Sequence, residues 1–194
     1  MGAGPAVAVG FRAHLGWADA VTLAVAGGGA EVRDRRRLEL RPAGGTVFPY
    51  HAAQEALAED REELIAAGLQ AAEASATDAL ADLLADLGFG GVGVVVSRGL
   101  RHIPLEKVLA SSRLLHAAEG AIYQRALRNA AANLGVPCSV LGFNEAEGHA
   151  LWPAVSVLGK QIGPPWRKDQ KLAALVAWLA AGAGTDPPPG TYLA

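Results

Sequence analysis

Two short, unbroken apolar runs, VGVVVS at 92–97 and CSVLGF at 138–143, stand between long stretches rich in Ala, Leu, Glu and Asp. A strand without polar alternation has no face to give to water, so each run predicts a central strand covered on both sides. The flanking stretches have the helical period. Leu57, Leu64 and Ile65 share one register and Leu80, Leu83, Leu84 and Leu87 another, which predicts helix from His51 to Leu87. Gly68, or a fresh cap among 75–78, is the expected place for a bend or break. Pro104 predicts the start of a second long helix lasting to Gly135 and Pro137, and a last helix is expected over about 165–181. Buried strand, helix, buried strand calls for parallel crossovers, so helices must cover a sheet on its faces.

The first forty residues have a different pattern. AVAVGFRAHL, AVTLAVA from Ala20, and AEVRDRRRLEL read as three strands, the last two separated by Gly27, Gly28 and Gly29. Glycines between short β-like runs suit hairpin turns, so an antiparallel meander is expected. RDRRR at 33–37 then reads as the solvated face of an edge strand. The expected class is α/β: a mixed sheet made of a three-strand meander, then alternating helices and two parallel strands. With 194 residues, 51% of them hydrophobic, one domain over 1–182 with a loose tail at 183–194 is the natural division.

A formal net charge of -2 argues against coating nucleic acid or an anionic membrane through bulk charge, so any anion site must be local. Cys138 is the one cysteine, cannot form an internal disulfide, and reads as a reduced core residue. No apolar stretch approaches the roughly 20 residues that span a bilayer, and the expectation is a soluble, cytoplasmic protein.

Open α/β sheets bind ligands beyond the carboxyl ends of their parallel strands. Arg12 and His14 follow the first strand, and Ser97, Arg98, Arg101 and His102 the fourth. Asn144 and Glu145 follow the fifth, and Lys168, Asp169 and Lys171 open the last helix. Arg12, Ser97, Arg98, Lys168 and Lys171 suit charge-assisted hydrogen bonds to a phosphate; the alternative is ordinary solvated charge. Lys168 lies on the stripe of Leu172, Leu175 and Leu179, with Asp169 beside it, so both are expected to face the sheet. An acid is favoured at a helix start, whereas a lysine there requires an anion to meet it.

This succession of elements resembles the ribonuclease H-like superfamily over nearly the whole chain. KDQKLAALVAWLA, with Asp169, is similar to the acidic last helix of the Holliday-junction resolvases. The resemblance implies divalent metal held by acids in the first strand, near the end of the fourth and in the last helix, for phosphodiester hydrolysis. Here the first two places read VGFRA and VVVSRG, and Arg12 and Ser97 cannot replace carboxylates as magnesium ligands. Asp169 is left as the one carboxylate for metal or water, no metal site is assigned, and no cofactor is named. The expectation is a divergent ribonuclease H-like protein whose basic crevice binds nucleic acid or nucleotide phosphate.

SSRLLHAAEGAIYQRAL holds a second irregularity. Ser112, His116, Glu119 and Tyr123 fall within the apolar face set by Leu109, Leu115, Ile122 and Leu127. A buried His116–Glu119 pair would serve as acid and base, or as a metal site if His51 joined it. The structural alternative is a satisfied network between helices or across a homo-oligomer interface, which makes the competing expectation a non-catalytic interaction module.

Overall fold

A computed structural model of the chain describes residues 4–97 and 103–182. Five strands form one sheet in the order β3-β2-β1-β4-β5. β1 (Ala6–His14), β2 (Trp17–Ala26) and β3 (Gly29–Glu39) are the antiparallel meander, while β4 (Gly91–Val96) and β5 (Cys138–Gly142) run parallel to β1. The expected class, with its antiparallel meander and two parallel strands, is therefore found. β2 begins three residues earlier than its apolar run, because the hairpin pairs His14 with Trp17 and Arg12 with Asp19.

The helices break at places other than those expected. α1 (Pro49–Glu55) ends before a short turn at Ala58–Asp60, and α2 (Arg61–Leu87) then runs unbroken through Gly68 and the 75–78 segment. Gly68 serves packing: a Cβ there would overlap the Pro49 side chain, so its missing side chain lets α1 lie against α2. The second long helix is likewise split into α3 (Leu105–Leu109) and α4 (Ser112–Asn133). Ser111 caps α4 by accepting a hydrogen bond from the Leu114 N–H. Two short helices, α5 (Trp152–Val157) and α6 (Gly159–Ile162), lead to α7 (Lys168–Gly182).

Alternation along β1 sends Val9, Phe11 and Ala13 into a core with α2 and α4, and Gly10, Arg12 and His14 to the other face, under α7. α7 buries Leu172, Ala173, Ala174, Leu175, Val176 and Ala177 on that second face, against Val21, Leu23 and Val95. It approaches very closely. A Cβ at Gly10 or Gly93, which are register partners in β1 and β4, would overlap the backbone carbonyls of Ala173 and Val176. Trp166 plugs the same layer, its indole N–H donating to the Val155 carbonyl at 2.9 Å. Cys138 departs from expectation: it lies exposed at the start of edge strand β5. No helix among the described residues is long and apolar enough to cross a membrane.

Candidate functional site

The end of β1, the start of β2 and the first turn of α7 meet in one cluster. Arg12 Nε lies 3.5 Å from Asp169 Oδ1, and His14 Nε2 lies 3.4 Å from Asp169 Oδ2 and 3.9 Å from Asp19 Oδ2. Gln170 holds the other oxygen of Asp19 at 3.0 Å. His14 stacks on Trp17 at 4.0 Å between ring centres, and the Arg37 guanidinium lies over the same indole at 4.1 Å from its centre. Beyond β5, the Phe143 ring receives two cations, Arg12 at 5.1 Å and Lys168 at 4.8 Å.

Arg12, Lys168 and Asp169 are thus brought together as the sequence reading expects, but the cluster is mixed in charge rather than basic. Lys168 has found its anion within the chain: Nζ is 2.6 Å from Glu147, with both side chains about half exposed. Asp169 is not the one carboxylate, since Asp19 stands beside it. Asp19 is the residue that sequence reasoning missed, and the signal was the hairpin register counted back from Gly16, which sets Asp19 opposite Arg12. Lys171 lines a shallow depression with Lys160 and Trp166. Ser97 directly follows β4, where its N–H and hydroxyl both donate to Gln124 Oε1 at 2.9 and 3.2 Å. Arg98, Arg101 and His102 lie outside the described residues. The arginines of β3 are engaged within the chain, Arg33 with Glu31, Arg36 with Asp34 and Asp86, and Arg37 with Glu39.

One atom of each kind from His14, Asp19 and Asp169 lies within 4.8 Å of the others, close enough for a single cation. The donor set fits that role. His14 Nε2 is closed to solvent yet has no hydrogen-bond partner among the described residues, and burial holds the imidazole below its ordinary 6.5, with Asp169 opposing and Arg12 reinforcing. A neutral imidazole facing two carboxylates suits a divalent ion such as Mn2+ or Zn2+, which would supply positive charge to a phosphate oxygen there. Arg12 competes for the same carboxylate of Asp169.

His116 and Glu119 belong to the other layer, with α2 and α4, and do not face this cluster. They also do not pair with each other. Glu119 is fully buried and accepts from the backbone N–H of His51 at 3.0 Å and from its Nδ1 at 3.1 Å, whereas His116 is exposed and uses its own Nδ1 on the Ser112 carbonyl at 2.7 Å. Helix α1 supplies Glu119 with its partner, His51, the residue that the sequence reading named as able to join the pair.

Sheet order, strand directions and helix placement together make this a ribonuclease H-like fold. It is similar to RuvC of Thermus thermophilus in complex with Holliday junction substrate, with a TM-score of 0.55 and 15% identity over 92% of this chain and 94% of that one. A second Thermus thermophilus RuvC structure is similar at a TM-score of 0.51 and 16% identity, covering 92% and 95%. No family description and no curated protein matches the sequence.

Proposed function

We propose that this chain binds the phosphate backbone of nucleic acid in the crevice bounded by the ends of β1 and β5 and the first turn of α7. The observation that carries the reading is the convergence of Arg12 and Lys168, 156 positions apart in the numbering, on the Phe143 ring. Cations beside an aromatic face are the set that contacts phosphates while a base stacks. Lys168 is available because its pair with Glu147 is exposed, and such pairs contribute only about 0–1 kcal/mol. Asp19 and Asp169 would repel the same phosphate, and a divalent cation on His14, Asp19 and Asp169 would turn that repulsion into attraction. A solved structure of similar fold is RuvC with a Holliday junction substrate, which supports a nucleic-acid ligand. Strand cleavage is not part of this reading, because residues 91–102 hold no acid to complete a second set of metal ligands.

Fluorescence anisotropy with labelled single-stranded, duplex and four-way-junction oligonucleotides at low salt tests the reading. Affinity should rise when Mn2+ is added, and Lys168→Glu should weaken binding by about tenfold or more, since a contact becomes a repulsion. Equal affinity of Lys168→Glu and wild type for all three ligands would remove the crevice from consideration.

A further inference from the structure

On the opposite layer, α1 and α4 bring two histidines and a buried carboxylate together. Glu119 is fully buried, Oε1 is held by His51, and Oε2 is closed to solvent with no partner among the described residues. Its carboxyl also acts on its surroundings: burial and then Glu119 push the Tyr123 phenol up to about 12, and the same two causes raise Tyr50. No lysine or arginine pairs with Glu119 among the described residues; its one ion-pair partner is His51. A buried carboxyl with one oxygen left without a partner is an incompletely satisfied polar group.

Each imidazole is oriented by what its Nδ1 touches. His51 is held through Nδ1, 3.1 Å from Glu119 Oε1, which leaves Nε2 as the ring nitrogen available to a metal. A carbonyl only accepts, so His116 Nδ1 donates to Ser112, and Nε2 is again the nitrogen available to a metal. This is the outer-sphere pattern of metal-bound histidine, in which the second ring nitrogen donates to a carboxylate or backbone carbonyl. The spacing agrees. A ring bound through one nitrogen at about 2.1 Å has its centre about 3.2 Å from the metal, and two such rings at the tetrahedral angle have centres roughly 5.2 Å apart. The His51 and His116 ring centres are 5.3 Å apart. Both rings reach solvent, His51 partly and His116 openly, which provides an entry path.

We propose that His51 and His116 form a binding site for a divalent transition metal such as Zn2+, Ni2+ or Cu2+, with Glu119 as the outer-sphere carboxylate that orients His51 and supplies opposing charge. Imidazole ligands select this class over Mg2+ and Ca2+, and water fills the remaining positions. The site is separate from the crevice under α7 and does not rest on the reading of that crevice.

Isothermal titration of the full chain with ZnCl2, after removal of metal by chelation and dialysis, tests the proposal. His14→Ala serves as the reference protein, so that the crevice cluster contributes no imidazole. Adding His116→Ala, at an exposed position where the fold should be kept, is expected to abolish uptake of the one equivalent. Adding Glu119→Gln instead should weaken it by about 10–100-fold, the usual cost of losing an outer-sphere partner. Absence of zinc binding by the reference protein, or equal affinity with and without His116→Ala, would leave the two rings as an edge-to-face contact only and overturn the proposal.

Discussion

His14 stands among four charged groups of both signs, and burial decides its state. Asp169 and Asp19 favour the imidazolium, Arg12 and Arg37 oppose it, and desolvation outweighs the rest to lower its pKa from 6.5. A histidine whose folded pKa is depressed binds fewer protons folded than unfolded in the window just below 6.5, so stability rises with pH there. The stability it contributes is present above 6.5 and is lost as pH falls from that value towards the folded pKa. Chemical denaturation of wild type and His14→Gln across pH 5 to 8 should therefore show curves that converge in the acid and separate near neutrality. A wild-type curve parallel to that of the variant would contradict this state of His14. The same residues mark how far single side chains were legible. Arg12 and Asp169 could be brought together from topology alone, because strand ends and a helix start are positions that a pattern fixes. Asp19 was missed because a second strand begun at Ala20 leaves it in a turn, although the register counted from Gly16 sets it opposite Arg12, and Glu147 could not be placed, since nothing in its own stretch says that it will reach Lys168.

At the level of elements, α7 owes its position to missing side chains. Gly10 and Gly93 are paired neighbours on β1 and β4, and each faces a carbonyl of α7 with no room for a methyl group. Gly10→Ala must push the helix off the sheet and is expected to cost roughly 3 kcal/mol, the upper part of the range for overpacking, because the obstacle is backbone. Gly120 is the contrasting case: it lies in α4, and a Cβ there would meet nothing within 4 Å. Gly120→Ala should stabilise the protein by about 0.8–1 kcal/mol through helix propensity. Thermal denaturation of both variants should thus move the midpoint in opposite directions, and a harmless Gly10→Ala would mean that α7 is free to shift. The order of elements was readable because buried strands and amphipathic helices have different periods. The breaks were not, because Gly68 looks like a helix breaker in sequence and acts as a packing notch against Pro49. The real interruptions, at 56–60 and at 110–111, fall where no proline or glycine announces them.

For the molecule as a whole, a net charge of -2 means that a nucleic acid would be held by few contacts or not at all. This makes the salt dependence of binding diagnostic. Arg12 and Lys168 alone give two phosphate contacts, and a slope of log affinity against log salt of about -1.8 on duplex DNA. Should Arg98 and Arg101 also contribute, four contacts give about -3.6. A crevice-bound complex is therefore expected between these slopes, and Lys168→Glu should make the slope shallower by about 1. Binding through a broad basic surface would instead give a slope near that of a protein with about ten contacts, close to -9. Such a steep slope would place the ligand on a broader surface than the crevice provides, and β3 is the candidate, because the ion pairs of Arg33 and Arg37 are as exposed as that of Lys168. Measuring the slope with and without Mn2+ separates the two contributions of the site: Arg12 and Lys168 set the slope in its absence, and an ion at His14, Asp19 and Asp169 that meets a phosphate oxygen adds one contact, so affinity should rise and the slope steepen by about 0.9.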